Sequence, residues 1–326
     1  MKKITALFLS FIMIFSFAAC KDEANEDEFT INDPVVETTP EREDKIKIAV
    51  GNDPMGIGFA KLSVDRAYAY DVDFCKSAEE AISLFNSGKA DLVSVSLDTA
   101  AKLYNENGGN LKMLAINTMG MVYILTSDEN MTDLSELSGK TLYCPSDNVG
   151  VKTIFLHFLE KCGVSGVDIQ YKTTEEIKTM MIDGTADLCV LPEYGVSGIT
   201  SKTEKKFNLY AITDLWEDEF GFELAQGCVV AKADFVEQNK DLIEEFLGFY
   251  EVSINYLYKN DALNSDLLVK EGFVSTEQIA YELVLRCNLR FVSGEEMKTL
   301  AQNNLAELNA ADPALFGALP AEDFYY

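Results

Sequence analysis

The chain has 326 residues, 48% hydrophobic and 25% charged, with 27 Lys+Arg against 54 Asp+Glu for a formal net charge of −27. That composition is globular rather than disordered or multi-span, and its acidity excludes nucleic acid as a partner, because phosphate binding needs a basic face. The length suffices for two lobes, each with its own core.

Met1-Lys2-Lys3 opens onto an uncharged run from Ile4 to Ala18, followed by Ala19-Cys20. The run is shorter than the ~20 residues a spanning helix needs, so residues 1–19 read as a signal peptide. Phe17-Ala18-Ala19-Cys20 resembles a bacterial lipobox, which implies lipidation of Cys20, palmitate included, and a membrane anchor. The mature protein is then extracytoplasmic, tethered to the outer face of the cell membrane. Lys21 to Asp44 carries ten acidic and two basic residues with Pro34 and Pro40, too little apolar surface to fold, so residues 20–44 form an acidic spacer.

From Ile46 the pattern alternates strand and helix, an α/β arrangement. Strands are predicted at 46–50, 72–74, 92–95 and 111–116, with helical spacing at 78–86 and 99–104; a longer apolar strand follows at 121–126. The scheme then restarts, with strands at 141–144, 167–171 and 188–191 and helices at 149–161 and 174–182. Ala78-Glu79-Glu80 through Gly88-Lys89-Ala90-Asp91-Leu92 matches Thr174-Glu175-Glu176 through Gly184-Thr185-Ala186-Asp187-Leu188, and Asp53 and Gly56 match Asp147 and Gly150. This internal repeat predicts two lobes on one plan. A return strand at 225–231 precedes a mainly helical remainder at 239–258, 278–285 and 295–308. Lobe one is therefore 45–121 plus 227–326 and lobe two 122–226, two βα sheets joined by two hinge strands.

Six further cysteines show no CxxC or Cys/His metal spacing, and several lie inside apolar runs, as buried thiols do. Ser138-Gly139-Lys140-Thr141 lacks the P-loop's first Gly and precedes a strand, and Gly56-Ile57-Gly58 lacks a third Gly. His157, the only histidine, sits between Leu156 and Phe158 in a helix and reads as packing rather than catalysis. No metal or cofactor is implied.

The lipobox, the spacer, the Ala78–Leu92 unit, Leu137-Ser138-Gly139-Lys140-Thr141, Leu191-Pro192-Glu193-Tyr194 and the Gly227–Phe235 segment resemble, in order and spacing, substrate-binding proteins of ABC importers. The branch is the nitrate/sulfonate/taurine and thiamine-precursor one. The resemblance implies a type II periplasmic-binding-protein fold and a Venus-flytrap closure of the two lobes on a small-molecule solute. It also implies a monomer that delivers its solute to an ABC permease and its ATPase. The loop Pro145-Ser146-Asp147-Asn148-Val149-Gly150 departs from the Gly/Ser/Thr-rich loop of many relatives, and Asp147 there would repel a sulfonate.

Ligands of open α/β sheets lodge beyond the carboxyl ends of the strands, beside helix N-termini. The ligand-binding candidates are therefore Asn52, Asp53, Met55 and Gly56; Ser96 and Thr99; Asn117; Asp147, Asn148 and Val149; and Glu193 and Tyr194. The amides and hydroxyl supply neutral hydrogen bonds, Asp53 and Glu193 accept from ligand N–H or ammonium, and Met55 and Tyr194 give apolar surface. Trp216 either lines the cleft or anchors a loop. Replacing Asn148 and Glu193 together is expected to abolish binding with little effect on the empty protein's stability. Two other functions share these features: an extracellular sensor of a signalling system, and an enzyme like the synthase of the thiamine pyrimidine. The latter chemistry would need a cysteine cluster and a reactive His or Lys, and neither is visible in the sequence.

Overall fold

The computed structural model describes residues 45–258, 261–274 and 276–326. The signal peptide, Cys20 and the acidic spacer lie outside the described residues. In the first half the elements run β1 (Ile46–Gly51), α1 (Pro54–Ile57), α2 (Ala60–Asp65), β2 (Tyr70–Cys75), α3 (Ala78–Asn86), β3 (Leu92–Ser96), α4 (Leu97–Glu106), β4 (Lys112–Met119), β5 (Val122–Thr126), β6 (Thr141–Pro145) and α5 (Val149–Lys161). They continue with β7 (Asp168–Lys172), α6 (Thr174–Asp183), β8 (Leu188–Pro192), α7 (Glu193–Thr200), β9 (Asn208–Ala211), α8 (Ile212–Phe220) and β10 (Ala225–Ala231). The last part is α9 (Ala233–Gln238), α10 (Lys240–Leu257), α11 (Asp261–Lys270), α12 (Glu277–Arg286), β11 (Leu289–Val292) and α13 (Gly294–Ala311).

Two sheets form, as the repeat implies: β2-β1-β3-β10-β4-β11 and β7-β6-β8-β5-β9. In the first, β1 pairs parallel with β2 and β3, and β10 runs antiparallel between β3 and β4. In the second, β6 pairs parallel with β7 and β8, and β5 runs antiparallel between β8 and β9. Each sheet thus receives one strand from the crossing chain, β10 in one and β5 in the other. β10 already pairs with β4 at Ala225, whose partner is Met119.

Local chemistry fixes the helix starts. Ser77 accepts a hydrogen bond from Glu80 N–H to start α3, and Thr173 with Glu176 forms a capping box on α6. α6 stops at Gly184 in the left-handed conformation. The strands of β1, β3, β4 and β8 are almost wholly buried, as strands covered by helices on both faces are.

The chain passes between lobes at Gly120-Met121 and again at residues 221–224. Gly120 is required there: a Cβ would lie 1.8 Å from Thr213 Oγ1 at the start of α8. The C-terminus closes against the first sheet, with Phe324 buried, Tyr326 N–H donating to the Met113 carbonyl and Tyr104 Oη donating to Asp323. The six described cysteines are free thiols, five of them buried. Among the described residues, no helix is long and apolar enough to cross a membrane.

Candidate functional site

The carboxyl ends of β1, β3, β6 and β8 lead into α1, α4, α5 and α7, and the β1–α1 and β8–α7 turns come together between the sheets. A cavity of about 220 Å³ opens there. Its walls come from Asn52, Asp53, Pro54 and Ile57 of lobe one, from Glu193, Tyr194, Ser197, Gly198 and Ser201 of lobe two, and from Phe273, Val274 and Leu283 of the α11–α12 pair. Four predicted residues, Asn52, Asp53, Glu193 and Tyr194, therefore share one cavity.

Asp53 caps α1, accepting from Met55 N–H at 2.9 Å. Burial pushes its carboxyl up to about 6, against the pull of the Met55 and Gly56 amides, with Glu79 adding repulsion. Asn52 donates to the Gly272 carbonyl, tying the β1–α1 loop to the turn that carries Phe273. Tyr194 is exposed on α7, and its hydroxyl takes a hydrogen bond from Asn148 Nδ2 at 3.2 Å.

Glu193 differs from the expectation of an open acceptor. It is 0% exposed, and Arg286 from α12 holds its Oε1 at 3.0 Å, while Ser197 donates to the same oxygen. Arg286 also donates to Ser197 Oγ, and Tyr123 of β5 donates its hydroxyl to the Arg286 carbonyl. One guanidinium thus bridges α12 to α7 across the lobes. Nothing in the sequence pairs these residues, because 93 positions separate them; the only local hint is a lone Arg inside the apolar run Val284-Leu285-Arg286-Cys287.

At the other end of the cleft, α4 faces α5. A Cβ on Gly150 would stand 3.4 Å from an Asp98 carboxylate oxygen, so Asp98 of lobe one abuts the first turn of the lobe-two helix. Burial raises the Asp98 carboxyl above the usual carboxylate range, against hydrogen bonds from Ser96 and the α4 amides and the charge of Lys102. Asp98 was legible as part of a candidate loop, but no local pattern marked it out individually.

The remaining candidates lie outside the lining of that cavity. Asn117 is buried, its Nδ2 within hydrogen-bond reach of the Met55 carbonyl, Ser94 Oγ and Tyr250 Oη. Met55 is half-buried above that hub, and Gly56 packs its Cα against the Gly51 carbonyl. Ser96 donates to Thr99 Oγ1 at the start of α4. Asp147 accepts from Thr174 N–H and Oγ1 in the first turn of α6, and its charge still acts on the Tyr194 hydroxyl. Asn148 caps α5 through Val151 N–H, and Val149 is exposed in that first turn. Trp216 is an anchor and not a cleft residue: it is fully buried and stacks on Phe220 at 3.9 Å. His157 pairs with Glu307 of α13 at 2.7 Å and packs beside Trp216 and Phe220.

A family model described as "NMT1/THI5 like" matches residues 70–262, more than half of the chain. No curated protein matches the sequence. Solved structures are similar in fold at low identity. An ABC transporter structure from Parabacteroides distasonis superimposes with a TM-score of 0.74 at 20% identity, covering 86% of this chain and 98% of that one. The periplasmic aliphatic sulphonate binding protein SsuA from Escherichia coli gives 0.68 at 15% identity, with 88% and 92% covered. The zinc-bound ligand-binding component of an ABC-type import system from Staphylococcus aureus gives 0.64 at 13%, with 87% and 97% covered.

Proposed function

The chain belongs to the NMT1/THI5-like family and carries the two-lobed periplasmic-binding-protein fold, and from that premise we propose that it is the solute-binding lipoprotein of an ABC importer. One observation carries the reading: a cavity whose walls come from both lobes, Asn52 and Asp53 on one side and Tyr194 and Ser197 on the other. A small organic solute held there touches both halves at once. Contacts that only the closed form can make favour closure, and the closed form docks a permease.

In this reading the two lobes move about the paired crossings, and the acylated Cys20 keeps the molecule at the outer face of the membrane as a monomer. The solute is held through Asn52, Asp53 and Tyr194, with Asn148 positioning the Tyr194 hydroxyl. A binding role fits better than catalysis because the chain's one histidine is spent on Glu307, on α5 and away from the cavity.

A thermal-shift screen of small organic solutes tests the proposal, since a tight ligand raises the melting temperature by mass action. At least one solute should stabilise the protein in a concentration-dependent way, and a Tyr194→Ala variant should lose that response. A response unchanged by Tyr194→Ala would move the site elsewhere.

A further inference from the structure

Two features of this cleft are built to hold an anion: the N-terminus of α5, with its unpaired N–H groups, and the guanidinium of Arg286. Each has one of the chain's own carboxylates beside it. Asp98 reaches across from lobe one to the first turn of α5, close enough that a methyl on Gly150 would touch it. Glu193 is fully buried against Arg286. An incoming sulfonate or carboxylate would meet the Asp98 charge at α5 and would have to displace Glu193 at Arg286.

Asp53 is the opposite case. Asp53 lines the cavity, its carboxylate lies over Gly51 and accepts only backbone N–H bonds, and among the described residues it forms no ion pair. Around it stand Ile57, Tyr194, Phe273, Val274 and Leu283, an apolar wall with aromatic faces. A negative charge on the rim of a largely apolar cavity, with no cation of its own, is what a ligand cation completes. The net charge of −27 adds a field that draws cations toward the molecule and repels anions.

We propose that the cleft selects a small solute bearing one positive charge, an ammonium or amidinium on an apolar body, with the Asp53 carboxylate as its counter-ion. The inference rests on the solute-receptor reading and narrows it to a charge class unlike that of the sulphonate-binding protein it superimposes on. One charge is the number that balances the cavity, because Glu193 is balanced by Arg286.

The test is a calorimetric titration of the full mature chain with scaffold-matched triplets that differ in charge: benzylamine, benzyl alcohol and phenylmethanesulfonate, with the corresponding cyclohexyl and pyridylmethyl sets. The cationic members should bind and the sulfonates should not, and Asp53→Asn should cost the cations on the order of tenfold or more in affinity. Asn is itself a good helix cap, so the variant keeps α1. Asp98→Asn, which removes the negative charge beside the first turn of α5, should improve sulfonate binding. Sulfonates binding the wild type, or cations binding Asp53→Asn as tightly as the wild type, would overturn the charge assignment while leaving the receptor reading intact. No binding from any member of any set would overturn both.

Discussion

Asp53 ties the site's electrostatics to a measurable pH dependence. Its folded-state carboxyl titrates near 6, above the ~4 of an unfolded chain, because burial disfavours the charge. The native state therefore binds this proton more tightly, and the stability it lends is present below about pH 4 and lost as pH rises through 6. Asp53→Asn should be more stable than the wild type by about 2 kcal/mol at pH 7.5, a gap that closes below pH 4 in urea titrations; an equal gap at both pH values would contradict the assignment. Affinity for a cationic solute has the opposite sign, falling about tenfold per unit below pH 6 as the carboxyl protonates. The Glu193–Arg286 pair makes a separate prediction. Arg286→Ala leaves the buried carboxylate without its guanidinium and should cost about 3 kcal/mol, while Glu193→Leu with Arg286→Leu should cost less, because the charge leaves with its partner. Equal losses in denaturant melts would mean the pair contributes only packing.

At the scale of elements, the strands and helices with strong periodicity were legible, and those held by tertiary contact were not. α3, α5 and α6 announce themselves through caps and apolar spacing, whereas β9 and β11 are four-residue edge strands whose identity comes from pairing with β5 and β4. The segment 193–200 carries no strong helical signal, since Gly195 and Gly198 weaken helix propensity, yet α7 forms where Leu191, Val196 and Ile199 join one apolar cluster. The same gap explains why Asn148 and Glu193 looked replaceable. Asn148 caps α5 and Glu193 anchors α7 to α12, so Asn148→Ala/Glu193→Ala should lower the empty protein's stability as well as its binding. The lost cap alone accounts for about 1 kcal/mol, measurable as a lower urea midpoint for Asn148→Ala, and an unchanged midpoint would deny the cap.

Across the whole molecule, the repeat in the sequence became the topology. The segment with Ala78–Leu92 and its match ending at Leu188 lead into β3 and β8, the strands that each flank a crossing partner. Its two loop aspartates nonetheless diverged: Asp53 caps its own helix and lines the cavity, while the matching Asp147 caps α6. The β1–α1 and β8–α7 turns that the sequence singles out meet at the cavity, and tertiary contacts decide that Glu193 is partnered by Arg286 while Asp53 is not paired with a cation among the described residues. The α11–α12 wall, with Phe273 and Leu283, was illegible because it joins the cavity only after the C-terminal helices fold back over α2 and α7. The most direct measurement is a crystal structure of the mature chain with the tightest-binding cation from the matched sets. The account predicts the ligand's charged nitrogen against the Asp53 carboxylate and its apolar body between Tyr194 and Phe273; a ligand seated outside the interlobe cavity would contradict it.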